Sequence, residues 1–293
     1  MYTIHYVNTG KQSKVVERTS PDVRIVRAVE YRPVELDKRL PLWARRSNPI
    51  IRRQLGMYWK TILPETGFLV KIVLAQAVLI AATLPLPFLF DLALPTITAS
   101  ILLFPVAVYM YIQLMFAIGY ATSVNVADEM RNDTFTLLRA TPMSLQAILA
   151  SKIAAAIWRQ VENLSLLIMA AALFSLPILI SHYATLWPLD ENPVLARFGM
   201  VLGLVVSLLR LLLEPFMIGA FGVMAGAALR VRSSAVIVTS LMAFFYFLLL
   251  NLLRVIPMPW PLQFVVEFAL PLVLPLLLIW ISLKVARFLI TRA

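Results

Sequence analysis

Residues 234–254 read SAVIVTSLMAFFYFLLLNLLR, and the only charged residue in this stretch is Arg254 at its end. An α-helix needs about 20 predominantly apolar residues to cross the hydrocarbon layer of a bilayer. The whole chain has this character, because 61% of its 293 residues are hydrophobic and only 14% are charged. A soluble domain of this size could not hide so much apolar surface from water. The sequence therefore predicts an all-α integral membrane protein.

Five further stretches have comparable length and composition. The six transmembrane helices predicted in this way are 68–90, 97–124, 149–180, 198–229, 234–254 and 266–287. The third and fourth are longer than the roughly 30 Å hydrocarbon layer requires. We therefore expect each of them to tilt, break or project into the cytoplasm. Pro215 is the candidate break in the fourth, because proline disrupts a helix interior. The PMPWP run at 257–261 predicts an outer-face loop or a short re-entrant hairpin.

Basic residues between the spans indicate the orientation of the chain, since Lys and Arg are enriched in cytoplasmic loops. The basic segments carry Arg131, Arg139 and Lys152, then Arg230 and Arg232, then Lys284, Arg287 and Arg292. They alternate with loops around 91–96, 182–197 and 255–265, whose one basic residue is Arg197. We expect both termini in the cytoplasm, which requires an even number of spans. The expected location is the cytoplasmic (inner) membrane of a prokaryote, as a multi-pass protein.

The first 47 residues are predicted to form a short cytosolic N-terminal segment. Their start, MYTIHYVNTGKQSK, lacks the apolar core of a secretory signal peptide, so we expect the first spanning helix to direct insertion. Residues 1–46 form either a small strand-rich piece or a poorly ordered tail. Thirteen of the 26 Lys and Arg residues precede residue 61. Beside a membrane span, this charge favours contact with membrane lipid and predicts no nucleic-acid partner.

Residues 48–66 predict an amphipathic interfacial helix. Asn48 is a good N-cap, and Pro49 suits the first helical position. One helical face carries Ile51, Leu55, Tyr58, Trp59 and Ile62, and the other carries Arg52, Arg53 and Lys60. Aromatic residues at headgroup depth and basic residues on the polar face are typical of a helix that lies on the membrane surface.

The residues that catalysis would need are missing from this sequence. Cysteine is absent and the two histidines, His5 and His182, are isolated, so we expect no metal site. The only Gly-Lys pair, Gly10-Lys11, is followed by Gln12 rather than by the Ser or Thr of a GxxxxGK[ST] phosphate-binding loop. A GxSxG nucleophile elbow is also missing. We therefore predict that the chain is not an enzyme and binds no cofactor of its own.

Between two strongly apolar stretches, residues 129–152 read EMRNDTFTLLRATPMSLQAILASK. Glu129 and Asp133 lie near the start of a predicted short helix, where the helix dipole favours acidic side chains. Pro142 should end this helix, and Ser144 can cap the next one. The pattern predicts a short helix parallel to the membrane, held on the cytoplasmic side between the second and third spans.

Several residues of this stretch resemble the signature of ABC transporter permeases of the type-2 exporter class. The matching positions are Glu129, Thr134, Leu137, Leu138, Ala140, Thr141, Pro142, Ser144, Ile148, Leu149 and Lys152. The six spans, the amphipathic entry helix and the short basic turn at 230–234 resemble the family in layout, over residues 48–287. Family members commonly have glycine and glutamate where this chain has Asp133 and Thr136.

The resemblance implies a function for the segment between the second and third spans. In that family the segment is a coupling helix that docks in a groove of a separate ATP-binding-cassette ATPase subunit. Segment 128–147 of the transmembrane domain 67–293 would then carry the coupling residues. They are Glu129, Arg131, Asp133, Thr134, Phe135, Leu138, Arg139, Thr141 and Pro142. The resemblance also implies a second permease subunit, either the same chain or a related one.

Two patterns inside the predicted spans also carry hypotheses. Arg210 and Glu214 are four residues apart and so share one helical face. An arginine at the bilayer centre costs about 2.5–3.5 kcal/mol on insertion scales, so we expect it to pair with Glu214 or to line a water-filled cavity. The pair is either a polar lining or gate, or a structural contact between helices. Gly222 and Gly226 form a GxxxG pattern that allows close helix packing.

Two alternatives to an exporter follow from the same features. A non-transporting membrane scaffold or assembly protein would recruit a cytosolic partner through its surface helix and basic tail. An ion-coupled carrier would use Arg210 and Glu214 and would depend on a proton or sodium gradient rather than on ATP. The sequence favours the exporter, because a scaffold needs no helix–Thr-Pro-Ser–helix segment at this place.

Overall fold

Long apolar helices make up most of the described chain. The computed structural model describes residues 40–56, 66–139, 141–189, 191 and 193–292. The helices are α1 (Pro49–Leu55), α2 (Thr66–Ala82), α3 (Leu89–Arg131), α4 (Thr134–Arg139), α5 (Leu145–Arg159), α6 (Val161–Leu186), α7 (Pro193–Leu229), α8 (Arg232–Val255), α9 (Trp260–Phe264) and α10 (Leu270–Arg292). A π-helical turn, Val265–Ala269, joins α9 to α10. Most of the predicted N-terminal segment 1–47 and the second half of the predicted interfacial helix 48–66 lie outside the described residues.

Five helical segments of the described chain are long and apolar enough to cross a membrane. They are Ser100–Arg131, Val161–Leu186, Pro193–Leu229, Arg232–Val255 and Trp260–Arg292. Large apolar side chains such as Phe104, Phe244 and Trp280 remain exposed along them. Exposure on this scale suits a lipid environment and not water. The prediction of a helical, multi-pass membrane protein is confirmed.

The first predicted span, 68–90, coincides only in part with α2. Its apolar portion, Gly67–Ala82, would be about 24 Å long at 1.5 Å per residue, which is shorter than the hydrocarbon layer. The loop expected around 91–96 was wrong, because α3 already begins at Leu89. Pro85 and Pro87 lie in the turn between α2 and α3, upstream of the predicted loop, and proline disfavours a continuous helix there because it lacks a backbone N–H. The sixth span therefore stays a prediction.

The third predicted span is divided into two helices, as its length suggested. Gln160 separates α5 from α6, with a φ of −108°. Its backbone N–H donates to Ile157 O, three residues back, at 2.9 Å. In an α-helix the acceptor would lie four residues back, so the helix narrows to a 3₁₀-type turn here. Only the second of the two helices is long enough to be a candidate span.

The central element of the described bundle is α7, which packs against α2, α3, α5, α6, α8 and α10. The break predicted at Pro215 was wrong, because α7 continues through it from Pro193 to Leu229. Pro215 is buried within the bundle. In spanning helices, neighbouring helices and side chains can satisfy the backbone groups that a proline frees, so a helix can continue past it.

Gly222 and Gly226 bring α7 against α3 of the same chain. A Cβ atom added at Gly222 would lie 2.9 Å from the carbonyl oxygen of Gly119. One added at Gly226 would lie 2.6 Å from the carbonyl oxygen of Ser123. Atoms of neighbouring helices essentially fill the space that a side chain would need. The GxxxG pattern therefore serves packing within the chain.

Helix α1 packs against α5. Asn48 accepts a hydrogen bond from a backbone N–H of the first turn at 3.0 Å, and Pro49 occupies the first helical position, as predicted. The Asn48 amide also donates to Ser151 Oγ at 3.1 Å. Ile51 and Leu55 are buried against α5, whereas the basic residues next to them are exposed. The described half of the helix is amphipathic, and its apolar face contacts protein.

The segment before α1 is held on the same helix. Trp158 Nε1 donates to the carbonyl oxygen of Ala44 at 2.9 Å. The guanidinium of Arg46 lies 5.0 Å from the centroid of the Trp158 ring, and burial lowers the pKa of Arg46 from its usual value. These contacts attach residues 44–55 to the end of the bundle that α5 forms.

The π-helical turn has an identifiable cause in the sequence. The backbone N–H of Leu270 donates to Val265 O, five residues back. In a regular α-helix, the ring of Pro271 would clash with the carbonyl of Glu267. The widened turn avoids this clash and leaves Glu267 buried in the bundle. The loop predicted for 257–261 is shorter than expected, because α9 begins at Trp260.

Candidate functional site

Within the part of the chain that the structure describes, two regions carry the polar residues that a function would use. The first is the segment around α4, at the end of the bundle where α3 finishes. The second is a polar cavity among α3, α6, α7 and α8, together with the π-helical turn. Both combine side chains from helices that are far apart in the sequence.

The turn between α3 and α4 has an unusual backbone. Asn132 ends α3, and its N–H donates to Asp128 O. The next residue, Asp133, has a φ of +52°, the left-handed conformation that aspartate tolerates better than most residues. Thr134 then begins α4. The reversal in backbone direction makes α4 a separate short helix and prevents it from continuing α3.

A buried aromatic side chain anchors α4 to the bundle. Phe135 is only 3% exposed and packs in a cluster with residues of α3, α5, α7 and α10. Members of this cluster include Met130, Ile148, Val223 and Ile290. Leu138 packs against the edge of the same cluster. Phe135 therefore anchors the α4 segment in a buried cluster to which four other helices contribute.

An ion pair lies beside this anchor. Lys152 Nζ on α5 donates to Glu129 Oε2 near the end of α3. Lys152 is 1% exposed, while Glu129 remains partly open to solvent. The ammonium group also lies 5.8 Å from the centroid of the Phe135 ring. A buried lysine needs such a partner, because an unpaired charge in the interior is strongly destabilising.

The remaining predicted coupling residues divide into exposed and buried sets. Exposed side chains of the segment are Arg131, Asp133, Thr134, Thr141 and Pro142. The hydroxyl of Thr141 donates to Leu138 O at 2.6 Å and closes the end of α4. The side chain of Arg139 lies outside the described residues. We call these five exposed residues the tip of the α4 segment. Glu129 and Phe135, which contact the bundle, form its base.

A cavity of about 480 Å³ lies between this segment and α1. Its lining includes Pro49, Arg53, Glu129, Leu138 and Pro142. Ligand pockets in proteins generally have volumes of about 300–1,000 Å³. The α4 segment therefore borders a recess and does not lie flat against the rest of the bundle.

The first polar cluster of the inner cavity is centred on Glu214. This carboxylate is only 2% exposed and pairs with Arg210 Nε one turn earlier on α7. It also accepts hydrogen bonds from the hydroxyl of Tyr111 on α3 and, at 3.0 Å, from that of Tyr246 on α8. Sequence spacing indicated the Arg210–Glu214 pair but not the two tyrosines.

A second polar cluster, which the sequence analysis missed, is centred on Glu267. Its carboxylate, 4% exposed, lies 3.6 Å from His182 Nε2 on α6 and 3.5 Å from a terminal nitrogen of Arg254 on α8. The sequence does contain a signal for this cluster, namely charged residues within apolar stretches. Arg254 is the one charge of its apolar stretch, and Glu267 is an acidic residue inside the sixth. Ionisable residues within spans generally mark functional positions.

Both clusters line one cavity of about 360 Å³. Tyr183, Gly203 and Ser207 contribute further to its wall. Because α6 ends at Leu186 and α8 at Val255, the His182–Arg254–Glu267 cluster lies near helix ends, and the Arg210–Glu214 cluster lies deeper. The cavity thus presents two carboxylates, two guanidinium groups and an imidazole inside an apolar bundle.

Comparison with known proteins identifies no relative of this chain. No protein-family model matches this sequence, and no curated protein or solved structure matches it either. Among the described residues, no group of three or more His, Asp or Glu side chains is arranged to hold a metal ion.

Proposed function

We propose that this chain is the transmembrane permease subunit of an ATP-binding-cassette exporter. A separate ATPase subunit would hydrolyse ATP, and this chain would convert the movement into passage of a substrate across the membrane. A second permease subunit, the same chain or a related one, would complete the complex. The proposal includes α2 as a sixth, short span, α1 as the start of the interfacial helix, and both termini in the cytoplasm of a prokaryotic cell.

The observation that carries the proposal is the form of the α4 segment. A short helix with an exposed polar tip follows the candidate span α3 and precedes α5, which leads into the candidate span α6. Arg131, Thr134 and Pro142 are accessible to a partner. Specific interfaces need charged and polar groups that are complementary to the partner, and this tip offers them.

The backbone of Asp133 supports the family resemblance. Permeases of the type-2 exporter class commonly have glycine at this position, and Asp133 has the positive φ that glycine adopts most easily. Asp133 therefore adopts a backbone conformation that is also open to the glycine of the family pattern.

The base of the segment supports a coupling role. Force applied to the tip would reach the bundle through Phe135 and through the Glu129–Lys152 ion pair. Phe135 belongs to the same buried cluster as residues of α5, α7 and α10, so a displaced α4 would disturb packing that includes the central helix. Packed interiors respond to such displacement by switching between discrete arrangements.

The inner cavity favours a second candidate function, an ion-coupled carrier. Glu214 and Glu267 are buried carboxylates beside a cavity, and such groups can accept a proton during transport. This carrier would need a proton or sodium gradient and no ATPase. The scaffold hypothesis has no comparable use for the cavity, because recruitment of a partner needs only the exposed surface.

The experiment that tests the proposal is purification of the tagged chain from its native membrane in mild detergent, with an assay for ATP hydrolysis. The test variant combines Arg131→Glu with Thr134→Arg, both at the exposed tip. We expect ATPase recovery to fall about tenfold or more, because the variant reverses one charge and adds another at the docking surface, and mismatched charges oppose association. The matched control combines Arg287→Glu with Thr291→Arg, which are exposed at the end of α10. The control should retain the ATPase.

Three other outcomes would contradict the proposal. An unaltered chain that purifies without any ATPase, from cells that express the neighbouring genes, would favour the scaffold. Transport that follows an ion gradient and ignores ATP would favour the carrier. Equal loss of the ATPase in the α4 variant and the α10 control would remove the α4 tip as the docking surface.

A further inference from the structure

An apolar groove adjoins the polar cavity. The groove has a volume of about 340 Å³ and is lined by residues 100–111 of α3, residues 167–179 of α6 and part of α7. Its wall is almost entirely apolar. The residues that line both cavity and groove are Phe104, Tyr111, Leu179, Ser207 and Leu211. The two spaces therefore adjoin along a shared wall, with polar groups at one side and apolar groups at the other.

The direction of the groove fits a chain-like molecule. His182 and Arg254 lie within about one turn of the ends of α6 and α8. From there the groove runs back along α6 from Leu179 to Leu167, a distance of about 18 Å at 1.5 Å per residue. In a membrane, the polar end would lie near the surface and the apolar groove would extend toward the bilayer centre.

The cavity has an unused hydrogen-bond donor on Arg254. Glu214 accepts hydrogen bonds from three side chains, and the Glu267 carboxylate lies 3.6 Å from His182 Nε2 and 3.5 Å from a terminal nitrogen of Arg254. The Nε atom of Arg254 is itself buried and has no hydrogen-bond partner among the described residues, while the side chain as a whole is 28% exposed. A guanidinium carries five N–H donors and matches the geometry of a phosphate.

We propose that the cavity and the groove form one binding site for an anionic phospholipid of the surrounding bilayer. The phosphate would be held by Arg254 and His182, with Arg210 deeper in the cavity, and one acyl chain would lie in the groove between α3 and α6. Ser207 stands where the headgroup region meets the acyl region, because it lines both spaces. This site goes beyond the proposed function, since lipid binding there needs no ATPase partner.

The test uses the full chain, purified in dodecyl maltoside micelles, which contain no phosphate. The first probe is phosphatidylglycerol with a photoactivatable diazirine on one acyl chain. The second is diacylglycerol with the same acyl chains and no phosphate. Cross-linked peptides are then mapped. We expect labelling of residues 100–111 and 167–179 to be about tenfold higher with the phospholipid, as one charge-assisted hydrogen bond would produce.

Two variants and two matched controls sharpen the test. Arg254→Gln should remove most of the preference for the phospholipid, and Ser207→Phe should block the groove for both probes. Arg287→Gln removes a charge from the exposed end of α10, and Ser165→Phe enlarges a serine of α6 outside both cavities. Neither control should alter the labelling. All four proteins must elute as folded monodisperse species.

The proposal would be overturned by equal labelling with both probes, or by labelling that Arg254→Gln leaves unchanged. The groove would then hold ordinary surrounding lipid without recognition of the headgroup. Labelling spread evenly over the exposed face of α8 would have the same meaning. None of these results depends on recovery of an ATPase, so failure of the lipid site and failure of the exporter proposal are distinguishable.

Discussion

Replacement of both Gly222 and Gly226 by alanine is expected to lower the free energy of unfolding by at least about 3 kcal/mol. The obstacles are the Thr122 hydroxyl, which is nearest to Gly222, and several backbone atoms of α3 that include the carbonyl oxygens of Gly119 and Ser123. Backbone atoms of a packed helix cannot rotate away as the end of a side chain can. The helices α3 and α7 would have to separate, and α7 is the element against which most other helices pack.

The control for this prediction is Gly67→Ala near the start of α2. A Cβ atom at Gly67 would have no neighbour within 4 Å. Alanine is a better helix former than glycine by about 1 kcal/mol, so this variant should be neutral or slightly stabilised. Thermal unfolding in detergent can be followed by the fluorescence of the six tryptophans, since the chain has no cysteine for thiol dyes. Equal unfolding temperatures for the double variant and the control would contradict the account of α3–α7 packing.

The second large effect is expected for Arg210→Leu, with a loss of about 3–5 kcal/mol. The substitution removes the cation that faces Glu214 and leaves a buried carboxylate with only the hydroxyls of Tyr111 and Tyr246. Breaking a buried ion pair from one side is far more costly than replacing both partners with apolar groups. The yield of monodisperse protein should fall sharply.

The double variant Arg210→Leu with Glu214→Leu should recover much of the lost stability. The two tyrosine hydroxyls then lose their acceptor, so recovery will be incomplete. Arg287→Leu at an exposed position provides a control for the loss of one positive charge. Stability would be compared by denaturant titration in detergent, as a double-mutant cycle. A double variant no more stable than Arg210→Leu would show that Arg210 matters for a reason other than Glu214.

Much of the fold could be predicted from local sequence. The apolar stretches, the Asn48 cap and the Ser144 cap are each defined by a few neighbouring residues, and the structure has both caps and five of the six predicted spans as helices long enough to cross a membrane. Breaks inside apolar stretches were harder to predict. Gln160 divides one predicted span while Pro215 leaves another continuous, because the outcome depends on which neighbouring groups satisfy the backbone.

The candidate site could be predicted only where its residues are close in sequence. Arg210 and Glu214 are one helical turn apart, so their pairing is local. The tyrosines of Glu214 and the whole His182–Arg254–Glu267 cluster join helices that are distant in sequence, and spacing carries no information on such contacts. The same limit applies at α4. The sequence indicated Phe135 as a contact for a partner, whereas in this chain it packs inside the bundle.

The central claim is that the tip of α4 docks on an ATPase subunit. The chain has no cysteine, so a single cysteine can be introduced at the exposed Asn132 and linked to neighbouring lysines in native membranes. Thr185→Cys is the matched control, because Thr185 is exposed near the C-terminal end of α6. The account predicts an adduct between Asn132→Cys and an ATP-hydrolysing subunit, and none from Thr185→Cys. An Asn132→Cys chain that reacts only with reagents outside the cell, or that gives no such adduct while the ATPase is present, would contradict it.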